Sequence, residues 1–301
     1  MQTNEQREAF LAERMKGVGG SDVAAILGLS KWSTPYDVWQ SKLGLADPTP
    51  DNDAMKWGRL LEPVIRQAYA ERTGLAVAVP SDPLVMPGYS FARANLDGIR
   101  EDGRIVEIKT ARYGDEWGDE GSDEVPVAYT LQVQHYMMVA GASVADVAVL
   151  IAGSDFRVYT IEADQSVHDM ILDAEASFWE LVQTKTPPPV MSFSDAVAAY
   201  GRKSTAGDVI ASEELVEDLL NLKRAKAEMK QLEALENELK GRAMAALGDF
   251  DTLVRDGKVL ATWKMSAESN KFDAKAFAEV HPDLYSRFCV STPGSRRFLV
   301  K

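Results

Sequence analysis

The residues that could do chemistry lie together in the stretch ANLDGIREDGRIVEIKTAR: Asp97, and ten residues later Glu107-Ile108-Lys109. The sequence between them reads as a hairpin. Residues 91–99 form the first strand, Glu101-Asp102-Gly103 the loop and residues 104–110 the second strand. A three-residue loop ending in glycine fits a type I turn closed by a left-handed residue. That register predicts Asp97 opposite Glu107, with Cβ atoms roughly 5 Å apart. Strand alternation puts Ile105, Glu107 and Lys109 on one face and Val106, Ile108 and Thr110 on the other. Two carboxylates this close repel each other unless a cation lies between them, so a divalent metal with the lysine beside it is the economical explanation. A surface hairpin carrying solvated Asp, Glu and Lys pairs is the other reading, and such pairs contribute little. The alternation of Val106 and Ile108 with the charges, in a run as β-prone as GRIVEIKT, argues for a half-buried strand.

The elements that must position this hairpin can be read from periodicity and capping. Residues 4–16 are predicted as an opening helix, broken at Val18-Gly19-Gly20-Ser21-Asp22. Ser21 or Asp22 can cap a second helix over 23–27 that stops at Gly28. Thr34-Pro35 starts a third helix through Lys42, with proline just inside its start. After a Pro- and Asp-rich loop at 47–53, a longer helix over 55–72 carries Trp57, Leu60, Leu61, Val64, Ile65, Ala68 and Tyr69 at helical spacing. Pro63 within it implies a kink or a late start. Strands are expected near 75–80, 84–86, 90–99 and 104–110, then a long polar loop over 111–126. A helix over 128–139, strands at 144–151 and 156–161 and a helix over 165–184 follow. This order implies an α/β core with a mixed sheet. Residues 1–190 are read as that core, 191–211 as a linker and 212–301 as an extension. The extension holds a charged helix or helical hairpin over 212–247, a β-hairpin turning at Asp256-Gly257 and a short helix at 273–279.

Composition narrows the class. With 301 residues, 46% of them hydrophobic, the chain can bury a core. It has no apolar run long enough for a membrane span, and its polar, helical N-terminus does not resemble a secretory signal. The single cysteine, Cys289, excludes a disulfide framework and cysteine-rich metal sites. Together these predict a cytoplasmic protein. A net charge of −13 disfavours coating of nucleic acid over the whole surface, while leaving room for a local basic channel.

Four signals stand in order along the chain: Gly19-Gly20-Ser21-Asp22, Gly58-Arg59-Leu60-Leu61-Glu62, Asp97 with Glu107-Ile108-Lys109, and Tyr129-Thr130-Leu131-Gln132-Val133-Gln134. Each is weak alone. Together, over about residues 10–185, they resemble the YqaJ-type phage recombinase nucleases, relatives of the lambda-type 5′→3′ exonuclease in the restriction-endonuclease-like superfamily. The resemblance implies a restriction-endonuclease-like core with a central mixed β-sheet flanked by helices. It implies Mg²⁺ or Mn²⁺ held by Asp97 and Glu107, the Ile108 carbonyl and the helix-borne Glu62. Lys109 would orient or activate the attacking water, Gln132 and Tyr129 would support the site, and Arg14 and Ser21 would bind a 5′-terminal phosphate. A ring-shaped homotrimer acting on duplex DNA ends, and a phage single-strand annealing protein as partner in a bacterial cytoplasm, follow from the same resemblance.

Physical chemistry agrees with those roles. Mg²⁺ takes oxygen ligands and keeps several waters, so two or three carboxylates suffice. An arginine can grip phosphate with two parallel hydrogen bonds, and the Gly19-Gly20 turn entering a helix offers backbone N–H groups beside it. Each residue also has a plainer reading: Ser21 as a cap, Arg14 as a surface cation, Glu62 as a solvated acid, Gln132 as helix filler. His135 is expected to be structural, and Trp32, Trp39 and Trp57 to belong to the core. Tyr113 and Trp117, in the loop after the lysine strand, are placed where they could touch DNA. The activity expected is a 5′→3′ exonuclease that leaves 3′ single strands for annealing recombination. An endonuclease or repair nuclease of the same fold, and a non-catalytic DNA-end binding module, are the alternatives.

Overall fold

A computed structural model describes residues 12–46, 52–202, 204–291 and 294–301. Most of the predicted opening helix, and most of the Pro- and Asp-rich loop, lie outside these residues; residues 12–14 are helical. The chain forms two compact units, one ending at Ala199 and one running from Tyr200 to Lys301.

In the first unit, β1 (Val18–Gly19) leads directly into α1 (Gly20–Ile26). This helix starts earlier than its sequence suggests. Gly19 is the cap, and Asp22, in the first turn, accepts a hydrogen bond from the Gly19 N–H at 3.0 Å. Neither Ser21 nor Asp22 is therefore the N-cap. Helix α2 (Pro35–Lys42) follows the expected rule: Thr34 Oγ1 accepts from the Asp37 N–H, and Asp37 returns the bond to the Thr34 N–H. Helix α3 (Asp53–Thr73) is capped by Asn52, contains Pro63 and ends at Gly74 in the left-handed conformation. Its predicted apolar stripe splits in two. Ile65 and Tyr69 are buried, whereas Trp57, Leu60 and Val64 are exposed.

The predicted strand over 91–99 is broken. Its first part is β4 (Tyr89–Ala94), which lies between β1 and β3 (Leu84–Met86) in a three-stranded sheet. Its second part is β5 (Gly98–Arg100), in a separate five-stranded sheet of order β2-β5-β6-β7-β8. There β2 is Val77–Ala78, β6 is Ile105–Ala111, β7 is Val144–Ile151 and β8 is Asp155–Glu162. The sheet is mixed: β6 and β7 run parallel and the other pairs are antiparallel. The β5–β6 turn has the predicted form. Gly103 has φ +85°, and its N–H reaches the Arg100 carbonyl. Register pairs Gly98 with Val106 and Ile99 with Ile105, so Asp97 leaves the strand at the level of Glu107.

Helix α4 (Val127–Ala140) packs on one face of this sheet, joining Val133 and Met137 to Ile105, Val147 and Val149. Helix α3 covers the other face, where Ile65 and Tyr69 meet Val106, Ile108 and Ala148. With both faces covered, β6 is more deeply buried than the half-buried strand its sequence suggests. Asp146, buried on the α3 face, is satisfied by Tyr69, Arg104 and Thr160. Helix α5 (Gln165–Gln183) completes a smaller core with α2 through Trp39, Phe178 and Val182. Helix α6 (Phe193–Tyr200) forms where the sequence suggested linker, tied by the buried Asp195 to Thr34.

In the second unit, α7 (Glu213–Leu247) is one continuous helix, not a helical hairpin. The hairpin of β9 (Thr252–Arg255) and β10 (Lys258–Thr262) turns at Asp256-Gly257, both at positive φ. Helices α8 (Ala274–Val280) and α9 (Pro282–Phe288) follow; α9 had no predicted counterpart. No helix among the described residues is long and apolar enough to cross a membrane.

Candidate active site

Glu107 is 1% exposed in the middle of β6. Its Oε1 accepts from Lys109 Nζ at 2.5 Å and from Gln132 Nε2 at 2.8 Å. Its Oε2 is buried without a hydrogen-bond partner. Burial, reinforced by Asp97, pushes the Glu107 carboxyl up to about 8 even though Lys109 opposes the shift. Asp97 enters from the β4–β5 junction, where its Oδ2 accepts from the Ile108 N–H at 2.9 Å. The break between β4 and β5 thus turns the aspartate back onto the main chain of the lysine strand. Lys109 stays protonated: burial would lower it, but Glu107 outweighs burial and holds it above its usual range.

Helix α4 supplies the other wall. Gln132 donates to Glu107, accepts from Lys109 Nζ at 3.1 Å and donates to Tyr136 Oη at 2.9 Å. The Tyr129 ring lies 4.8 Å from Lys109 Nζ, in cation–π range. Tyr129, Gln132 and Tyr136 follow three- and four-residue steps, which places them on one side of the helix. Gly20 allows α1 to approach that side. A Cβ there would sit 2.7 Å from Tyr136 Cε1 and 2.9 Å from the Gln132 carbonyl oxygen.

A cavity of about 350 Å³ has Arg14, Ser21, Glu62, Asp97 and Gln132 in its wall, while Glu107, Lys109 and Tyr129 lie outside its lining. Glu62 is held by Arg66 one turn along α3 at 2.6 Å. Its carboxyl is raised by burial and by Asp97, against the pull of Arg66 and Lys109. Arg14 Nη2 donates to Ser21 Oγ at 3.0 Å and to Asp22 Oδ1 at 2.7 Å. Ser21 is therefore a partner of Arg14 in the cavity wall and not a cap.

Sequence reasoning missed several residues of this wall, including Lys42, Arg59, Arg93 and Tyr136. Arg59 and Tyr136 had a signal: one lies inside the Gly58–Glu62 motif and the other four residues after Gln132. Lys42 and Arg93 had none, because only the tertiary fold brings α2 and β4 to the cavity. His135 is structural as expected. It is fully buried between Glu175 at 2.6 Å and the Arg93 carbonyl at 2.9 Å. Trp39 is in the core, but Trp32 and Trp57 are exposed, against expectation. Trp117 is buried against Tyr129 and Tyr159, while Tyr113 is exposed.

The YqaJ-like viral recombinase domain model matches residues 9–143. The Bacillus subtilis (strain 168) protein YqaJ, itself described as uncharacterized, is 34% identical over 310 residues, which cover 98% of this chain and 94% of that one. The chain belongs to the YqaJ-like viral recombinase family. Among solved structures, an alkaline exonuclease from Laribacter hongkongensis, LHK-Exo, is 21% identical, with 59% of this chain and 93% of that chain covered and a TM-score of 0.48. A phage related exonuclease from Haemophilus somnus 129PT is 16% identical over 56% of this chain and 96% of that one, with a TM-score of 0.43. The YqaJ match includes Asp97, Glu107, Lys109 and Gln132 within its bounds, together with Arg14, Ser21, Glu62 and Tyr129.

Proposed function

We propose that the protein is a metal-dependent 5′→3′ exonuclease on linear double-stranded DNA that leaves 3′ single strands for annealing recombination. The observation that carries this reading is the state of Glu107. One carboxylate oxygen is fixed by a lysine and a glutamine, the other is buried without a partner, and Asp97 is close enough to raise its pKa. Protonation of Glu107 relieves the repulsion in the metal-free protein, and a divalent cation between the two carboxylates would relieve it with both ionised. Among the described residues no three His, Cys, Asp or Glu side chains form a ready metal cluster. Mg²⁺ or Mn²⁺, which keeps several waters and can also bind substrate phosphate, would need only one or two protein carboxylates. Asp97 and Glu107 would hold the ion with the Ile108 carbonyl, and Glu62 would complete the acidic wall. Bound there, the ion would polarise the phosphodiester and make water a better nucleophile.

The chain's own residues supply the rest. Lys109 keeps its proton and offers positive charge where the phosphoryl oxygens become more negative. Gln132 fixes the Glu107 and Lys109 side chains relative to each other, and Tyr129 backs the ammonium. Water attacks phosphorus, the P–O3′ bond breaks, and the 3′-oxygen leaves with a proton. The shortened strand then carries a new 5′-phosphate, the group that Arg14 and Ser21 would bind in the cavity that Glu62 and Asp97 also line. Each cut therefore regenerates the ligand for the next. A homotrimeric ring, cytoplasmic action at duplex ends and a phage annealing partner belong to this proposal through family resemblance.

Digestion of duplex DNA with Mg²⁺ tests it. Mononucleotides released from 5′ ends of linear DNA, with circles untouched, support the exonuclease. Nicking of covalently closed circles would replace it with an endonuclease. End binding without any hydrolysis would leave a binding module.

A further inference from the structure

Arg14 belongs to a short helical turn near the start of the described chain, yet it is gripped at two points. Asp22 Oδ1 takes its guanidinium at 2.7 Å, and Lys42 Nζ, reaching across from α2, donates to its main-chain carbonyl at 2.8 Å. Lys42 and Asp22 are themselves joined: Lys42 Nζ lies 2.6 Å from Asp22 Oδ2, which also accepts from the Gly19 N–H. Both residues are buried, at 5% and 6% exposure, whereas the Arg14 side chain keeps 38% of its surface. All three line the cavity that holds Glu62 and Asp97. The buried carboxylate of Asp22 thus accepts from Arg14, Lys42 and the Gly19 N–H, while the arginine it holds remains accessible.

We propose that Asp22 and Lys42 are positioning residues that fix Arg14, main chain and guanidinium together, for recognition of a terminal phosphate on the substrate strand. This rests on the exonuclease reading above. Burial alone would raise the Asp22 carboxyl, but Lys42 and Arg14 outweigh it and keep it below its usual range. Burial lowers the Lys42 ammonium against the pull of Asp22, so the Asp22 carboxylate is the charge that anchors Arg14. A buried ion pair costs desolvation energy that an apolar pair avoids. A role in orientation gives a reason for retaining it at this place, one that packing alone does not.

The test compares hydrolysis of linear duplexes bearing 5′-phosphate or 5′-hydroxyl ends, with Mg²⁺, for the wild type, Arg14→Ala, Lys42→Met and the double variant Asp22→Asn with Lys42→Met. The double variant removes both buried charges at once, so no uncompensated charge opposes folding; thermal unfolding is followed in parallel. The expected result is a wild-type preference for the phosphorylated end that falls roughly ten- to hundred-fold in both clamp variants through KM, as in Arg14→Ala. The rate on hydroxyl ends should fall by a much smaller factor, because no terminal phosphate is there for Arg14 to grip. A wild-type preference that survives in folded clamp variants would overturn the clamp while leaving the exonuclease in place. A wild type that hydrolyses both ends equally would remove the phosphate-binding role of Arg14, and the clamp with it.

Discussion

Gln132 Nε2 and Glu107 Oε1 are joined across the α4–β6 interface by a 2.8 Å hydrogen bond, and the same oxygen receives Lys109. The amide therefore fixes the Glu107 carboxyl and the Lys109 ammonium relative to each other. Gln132→Ala should lower kcat roughly ten- to hundred-fold, with a far smaller change in affinity for duplex ends. Steady-state hydrolysis alongside an anisotropy titration separates the two effects.

The strained acid should also appear in stability. Glu107 is raised from an ordinary 4.5 to about 8, so the folded protein favours its neutral form. That contribution is complete below the ordinary carboxyl value and is lost as pH rises through the folded value. Metal-free protein should lose up to a few kcal/mol between about pH 5 and 8. In Glu107→Gln this segment of the Tm–pH profile should flatten. Mg²⁺ should raise the wild-type Tm more at pH 8 than at pH 5.5.

Close approach of α1 to α4 depends on Gly20. Gly20→Ala must push Tyr136 or the Gln132 backbone aside. The expected cost is about 1–3 kcal/mol of stability, with loss of hydrolysis at temperatures where the variant is still folded. Denaturant unfolding and an activity assay on the same sample check this.

Asp146 provides a contrasting case on the opposite face of the sheet. Its partners, Tyr69, Arg104 and Thr160, hold α3 and β8 against β7. Asp146→Ala should cost roughly 3 kcal/mol by stranding buried donors, and Tyr69→Phe about 1 kcal/mol. Below their Tm, both should hydrolyse DNA at the wild-type rate.

Much of this architecture can be read from residue patterns because local rules govern it. Thr34-Pro35 caps α2, Gly103 closes the β5–β6 turn, and Asp256-Gly257 turns the last hairpin, each by backbone chemistry confined to a few residues. What the sequence hid depends on distant contacts. The break at 95–97 separates two sheets inside a single predicted strand; Asn95 and Asp97-Gly98 are turn-forming residues, but the strands on either side masked them. Trp57, Leu60 and Val64 repeat like core positions but lie on a face of α3 that the sheet does not cover. Asp22 read as a helix cap because capping and ion pairing use the same side chain; only the arrival of Lys42 from α2 distinguishes them.

Glu107, with its unpartnered oxygen beside Asp97, is proposed as the acid around which phosphodiester hydrolysis is organised. Its most direct test is release of acid-soluble nucleotide from linear duplex DNA in Mg²⁺ by the wild type and by Glu107→Gln, which keeps the side chain's shape. Steady release by the wild type and none measurable from the variant, with duplex-end binding and fold retained, is the expected result. Release by folded Glu107→Gln at the wild-type rate would contradict it.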